Sequence, residues 1–233
     1  MKFFKTRFWR ICKRVFLWMF ILHLVYMVMV RWLDPPITIT QLVSVLQGNG
    51  LKRDYIDYSE MGPNIKLAVI ASEDQLFPDH DGFDIKAIKL AMKYNKKHPG
   101  KVRGASTISQ QVAKNVFLWQ HGGFFRKGLE VYFTFMIEKL WSKERILENY
   151  LNVAEMGRGI FGVQAAAKAY FNKDAKNLTR AEAAMIAACL PNPKEYTVKP
   201  LSRYVANRYD NILQQMNNLE GDPDIKELIG TVK

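Results

Sequence analysis

The chain reads as an all-α (mainly α-helical) protein, a helical globule carried behind one N-terminal transmembrane helix. Three observations predict this. The first fourteen residues hold six basic side chains and no acid, and an uncharged, almost wholly apolar run follows from Val15 to Val30. After Pro63 nearly every segment places apolar residues at helical spacing. No strand-turn-strand pattern of any strength appears, nor any internal repeat or low-complexity tract.

Lys2, Lys5, Arg7, Arg10, Lys13 and Arg14 make residues 1–14 a basic segment, expected in the cytoplasm. Residues 15–33 supply about the 20 positions that cross a bilayer, with Arg31 placed to snorkel and Trp9 and Trp32 suited to the interfaces. Residues 27–36, Met-Val-Met-Val-Arg-Trp-Leu-Asp-Pro-Pro, offer no small-residue cleavage site, so the segment is expected to remain as an anchor. Everything after Leu33 is then expected outside the membrane. Half of the formal charge of +12 lies in the first fourteen residues. The remainder suits an anionic lipid surface or a substrate carrying pyrophosphate, although a generic solvated surface has the same balance. Nucleic acid is not expected in that compartment, and no motif for it is present. Cys12 and Cys189 are expected on opposite sides of the membrane with no His at ligand spacing, which gives no case for a disulfide framework or a zinc site.

Asp34-Pro-Pro36 stops the anchor, and 34–63 reads as a juxtamembrane linker and lead-in with an apolar patch at Leu42, Val43, Val45 and Leu46. The domain proper is expected over 64–200. Leu67, Ile70, Ala71 and Asp74 fall on neighbouring turns, and Asp84 caps a helix that runs to His98 and ends at Pro99-Gly100. Thr107 with Gln110, and Thr179 with Glu182, have capping-box spacing. Helical patterns continue over Phe124–Trp141, Ser142–Glu155 and Phe161–Tyr170, and Pro191-Asn-Pro193 closes this part. Residues 201–233 form a C-terminal helical extension, with one helix over Leu201–Leu219 and a short segment from Asp222-Pro223.

Glu73 follows the apolar run Leu67–Ala71, which puts a carboxylate at the lip of a core helix, where partial loss of water makes it a better proton acceptor. An exposed helix carboxylate is the plainer reading of that position. Arg126 and Lys127 precede Glu130 by four and three residues, so all three share one side of a helix. A surface ion pair gives the same spacing and contributes about 0.3–0.5 kcal/mol. Gly104-Ala-Ser is too short for a phosphate-cradling loop, so a nucleotide is not expected. No Asp, Glu or His cluster specifies a metal by spacing.

Five blocks, in this order, resemble the peptidoglycan glycosyltransferases that polymerise lipid II. They are Glu73-Asp-Gln-Leu-Phe-Pro-Asp-His-Asp-Gly-Phe-Asp84, Gly104-Ala-Ser-Thr-Ile-Ser-Gln-Gln-Val-Ala-Lys-Asn115, Arg126-Lys-Gly-Leu-Glu130, Lys143-Glu-Arg-Ile-Leu-Glu-Asn-Tyr-Leu-Asn152 and Arg158-Gly-Ile-Phe-Gly-Val-Gln-Ala-Ala-Ala-Lys-Ala-Tyr-Phe171. The resemblance implies a lysozyme-like fold of two lobes around a cleft. It implies Glu73 as the catalytic base and Glu130 as a second cleft carboxylate, with Lys114, Arg126 and Lys127 at the pyrophosphate. Gln110, Gln111, Ser106 and Thr107 would offer neutral partners to sugar or phosphate oxygens. Asp74, Phe77, His80, Asp84 and Asn152 would organise the site. A divalent cation, Mg2+ or Mn2+, often assists such enzymes.

The reaction so implied is inverting transfer of a lipid-pyrophosphate glycan onto the 4-hydroxyl of lipid II, with release of undecaprenyl pyrophosphate. The implied setting is the inner membrane of a bacterium, with the catalytic domain in the periplasm. The implied partners are lipid II, the lipid-linked chain, membrane lipids and other cell-wall synthesis or division proteins. A lysozyme-like hydrolase of finished glycan also uses a cleft glutamate, but it has little use for Lys114, Arg126 and Lys127. A non-catalytic anchored scaffold is the third reading, and retention of both Glu73 and Glu130 counts against it.

Overall fold

The computed structural model describes residues 2–100, 103–120 and 122–230, with side chains from Phe8 onward. Met1 of the basic segment and 231–233 of the C-terminal extension lie outside the described residues. The chain divides into two compact units, one of residues 1–35 and one beginning at Pro36.

The first unit is helix α1, Lys2–Met29. Its stretch Phe8–Met29, with mean hydropathy 1.7, is long and apolar enough to cross a membrane. The helix runs unbroken out of the basic segment and ends before the Leu33 that hydropathy suggested. The amides of Arg31 and Trp32 bond three residues back, to Val28 and Met29, and this tightened turn leads into Asp34-Pro35-Pro36.

The second unit opens with α2, Ile39–Leu46, in the stretch read as a linker. Thr38 and Gln41 close a capping box on it. The polarity of this helix is inverted: Gln41 and Ser44 are buried, while Leu42, Val43, Val45 and Leu46 are exposed. Its inner face is held by hydrogen bonds, Gln41 Nε2 to the Tyr55 hydroxyl at 2.8 Å and Ser44 Oγ to the Gly50 carbonyl at 2.8 Å.

At the centre lies α3, Pro63–Glu73, where every residue from Ile65 to Ala71 is buried. Only Lys66 interrupts the apolar character of that stretch, and a helix so nearly apolar all round must be covered on all sides. It packs against α9, Arg180–Cys189, and α10, Arg203–Leu219. Beside this layer, α5, Ile108–Phe117, packs on α6, Phe124–Leu140, and α7, Lys143–Val153. The boundaries follow local capping: Asp84 accepts from Ala87 N–H to start α4, Ile85–Lys97, and Ser142 accepts from Arg145 N–H to start α7. Helices α8, Val163–Phe171, and α11, Pro223–Ile229, complete the set among the described residues.

One element was not expected. A three-stranded sheet of β1 (Lys52–Arg53), β2 (Glu155–Gly157) and β3 (Ile160–Phe161) has the order β1-β3-β2, with β1 parallel and β2 antiparallel to β3. Glu155 and Phe161, read from the sequence as helical, are therefore strand residues. Gly159 makes the turn possible: its φ is +69°, and a Cβ there would lie 2.1 Å from the Asn49 carbonyl oxygen. Cys189 is buried in the core, where burial pushes its thiol up to about 12. Cys12 lies in the other unit, and both cysteines are free.

Candidate active site

Glu73 is the last residue of α3, half-buried, and Asp74 turns the chain out of the helix. Asp74 Oδ2 accepts the Ile108 N–H at 2.9 Å, which pins the end of α3 to the start of α5. Its Oδ1 meets His80 Nε2 at 2.9 Å, and His80 Nδ1 accepts the Gly82 N–H at 3.1 Å. Burial of His80 opposes its charged form, but the Asp74 carboxylate outweighs this and raises the imidazole above its ordinary value. Phe77 is wholly buried under the same loop. Gly82, with φ +82°, passes so close to α6 that a Cβ would lie 2.7 Å from Thr134 Cγ2. Asp74, Phe77, His80 and Asp84 are thus tied to neighbouring backbone and side chains around the exit from α3.

Both carboxylate oxygens of Glu73 are engaged. Oε1 lies 3.1 Å from Ser72 Oγ, and Oε2 accepts from Gln111 Nε2 at 2.9 Å. Gln111 is oriented in turn by the hydroxyl of buried Tyr150, 3.4 Å from its Oε1. A cleft of about 840 Å³ opens here, and its walls include Glu73, Arg103, Ser106, Gln111, Lys114 and Arg208. Burial pulls the Lys114 ammonium below its ordinary value; Glu130 and Glu73 oppose that shift, while Arg126 and Lys127 add to it. Two carboxylates and three cations therefore act on one another at this end of α5. Across Gln111 and Lys114 a second cavity of about 530 Å³ has a more apolar lining that includes Ile39, Val43, Trp119 and Tyr150.

Glu130 sits on α6 with only 3% of its surface exposed. Arg126 Nη1 donates to its Oε2 at 2.7 Å, and Lys127 Nζ donates to its Oε1. This is a buried carboxylate held by two cations rather than a surface pair, so removing one cation leaves the other as its partner and only loss of both leaves a buried charge uncompensated. Arg126 Nε is buried with no hydrogen-bond partner among the described residues.

Several expected site residues are occupied elsewhere. Gln110, expected to face sugar or phosphate, is 3% exposed, and its Oε1 accepts the Thr107 N–H at 3.1 Å as part of the α5 capping box. Thr107, though on the cleft wall, is 2% exposed and donates its hydroxyl to the Gly82 carbonyl at 2.7 Å. Asn152 bonds both ways to the Ile56 backbone, which fastens α7 to the residues after β1. Among the described residues no three His, Cys, Asp or Glu side chains gather to hold a metal ion. Sequence reasoning missed Arg208, whose Nη2 reaches the Ser72 carbonyl and hydroxyl at 3.4 and 3.3 Å from α10. It also missed Arg103 on the cleft wall.

Comparison with known proteins bears on this arrangement. The model of the family described as Transglycosylase matches residues 40–217. A biosynthetic peptidoglycan transglycosylase of Pseudomonas putida is 47% identical over 221 residues, covering 92% of this chain and 93% of that protein. Proteins of the same name from Mannheimia succiniciproducens and Escherichia coli are 57% and 51% identical over 166 and 174 residues. They cover 71% and 75% of this chain, and 68% and 72% of their own lengths. With a half-buried glutamate and the cations Arg103, Lys114 and Arg208 on the walls of its cleft, and with relatives of this name matched over most of its length, the chain belongs to the biosynthetic peptidoglycan transglycosylase family.

Proposed function

We infer that this protein polymerises lipid II into peptidoglycan glycan strands. The observation that carries the reading is Glu73, half-buried at the head of the cleft and coupled through Gln111 to the wall that holds Lys114. Glu73 takes the proton from the acceptor sugar's 4-hydroxyl. The freed oxygen attacks the donor anomeric carbon from the opposite face, and the carbon–oxygen bond to pyrophosphate breaks with inversion. The charge that develops on the leaving pyrophosphate falls to Lys114, Arg126 and Lys127, in a partly desolvated setting where cations act strongly. The polar cleft beside an apolar cavity suits a substrate that is sugar at one end and lipid at the other. α1 supports a single-pass anchor that keeps this chemistry at the membrane face, with the basic end cytoplasmic and the second unit periplasmic.

The test is incubation of the detergent-solubilised protein with purified lipid II, with polymer separated from small fragments and unchanged substrate. Polymer formation is expected. Cleavage of preformed glycan without polymer would move the reading to a hydrolase.

A further inference from the structure

Next to the cleft, α10 and the end of α3 border a second, open groove of about 450 Å³. Gln75, Asn207, Asn211 and Gln215 line it, with Tyr204 and, among the described residues, no carboxylate. The three α10 amides recur every four residues and so form a ladder along one face of that helix. Val205, Ile212 and Met216 on the same helix are buried. Ala71, Ser72, Gln75 and Arg208 belong to the walls of both groove and cleft, so the two spaces are continuous.

We propose that this groove binds the peptide branch of the substrate, which presents backbone amides and carboxylates. The proposal rests on the polymerase reading above and adds a subsite to it. Carboxamides both donate and accept, as a peptide backbone does, and a ladder of them matches an extended peptide better than a point ligand. In the free protein they are bonded weakly to one another and to backbone, Gln75 Nε2 to Gln215 Oε1 at 3.3 Å and Asn211 Nδ2 to the Asn207 carbonyl at 3.3 Å. These bonds exchange readily for a ligand's. The only charged lining residue is Arg208, whose buried Nε has no hydrogen-bond partner among the described residues. An acidic peptide therefore meets one cation and no like charge. A sugar is less well served: Tyr204, the groove's one aromatic ring, already stacks on Tyr196 with centroids 3.7 Å apart. The shared wall with the Glu73 cleft lets a branch leave the reacting disaccharide without crossing protein.

The experiment compares two substrates on the full-length protein in detergent: lipid II with its complete peptide, and the same lipid-linked disaccharide with the peptide trimmed to one residue. For the triple variant Asn207→Ala, Asn211→Ala, Gln215→Ala, KM for the complete substrate is expected to rise about tenfold, the loss of two or so neutral hydrogen bonds. kcat, and both constants on the trimmed substrate, are expected to hold. Asn211→Asp, which changes no volume, is expected to raise KM selectively through repulsion of the peptide carboxylates. A loss equal on both substrates, or no loss on either, with unfolding temperatures matching wild type, overturns the proposal. Failure of the wild type to polymerise complete lipid II would instead overturn the reading beneath it.

Discussion

The side-chain amide of Gln111 donates to Glu73 Oε2 at 2.9 Å across the gap between α5 and α3. The contact fixes which oxygen of the carboxylate is held and leaves Oε1 with only the Ser72 hydroxyl, which has one proton and also lies 3.5 Å from the Ala187 carbonyl. Oε1 is thus the freer acceptor. Replacing Glu73 by Gln keeps volume and removes the proton acceptor of the proposed mechanism, so under that mechanism polymerisation is expected to fall by about two to four orders of magnitude. Gln111→Ala is expected to lower kcat by about tenfold through a misplaced base, in line with loss of one hydrogen bond to a charged group. Steady-state rates on lipid II, with circular dichroism to check folding, measure both.

Lys114 and Arg126 separate a polymerase from a hydrolase. Lys114→Ala and Arg126→Ala are each expected to cost about 3 kcal/mol of transition-state stabilisation, the order seen when a donor to a developing charge is removed. Arg126→Lys should recover only part, because a point charge cannot reproduce a forked contact. Since burial lowers the Lys114 pKa, its charge is lost at a lower pH than the 10.5 of an ordinary lysine. The alkaline limb of the rate profile should therefore move to higher pH in Lys114→Arg. An unmoved limb would assign it to another group.

His80 gives a stability signature. Its pKa is raised in the folded protein, so the stabilisation it contributes is fully present below the ordinary value of 6.5 and is lost as pH rises through the higher folded value. The Gly82 N–H that donates to Nδ1 works against protonation, and the Asp74 contact works for it. Thermal unfolding followed from pH 5 to pH 8 should show wild type declining relative to His80→Asn. Parallel curves would mean that the Gly82 contact dominates.

Lys66 is 4% exposed, and its ammonium sits 3.5 Å from the centroid of the Tyr58 ring. Burial lowers it to about 8, against support from Glu144 and Glu148. The unfolded chain then binds the proton more tightly between about 8 and 10.5, so this residue makes stability rise with pH across that window. Lys66→Met removes the buried charge and should change stability at pH 7 by no more than about 1 kcal/mol in either direction. Urea titrations at pH 7.5 and 10 should show wild type gaining on the variant at the higher pH.

Local chemistry explains which features the sequence revealed. Asp84, Thr107, Ser142 and Thr179 cap helices through bonds that span three residues, so their signals lie within one turn. The sheet escaped notice because its strands are two or three residues long, too short for an alternating pattern. Helix α2 was hidden by its inverted faces. The motif residues pointed to Glu73, Lys114 and Glu130, but spacing alone did not separate Gln111, which reaches Glu73, from Gln110, which turns into its own cap. Arg208 lies 136 residues from Ser72, and only the packing of α10 on α3 brings the two together.

That packing bears on the order in which the molecule is made. From Ile65 to Ala71 α3 is buried on every side, and two of the helices that cover it, α9 and α10, come from the last quarter of the chain. Until residues through Met216 have emerged during synthesis, the helix that carries Glu73 has no complete surroundings and the Ser72 side of the carboxylate lacks Arg208. A truncation before α10 therefore uncovers a strongly hydrophobic segment and exposes it to aggregation and proteolysis.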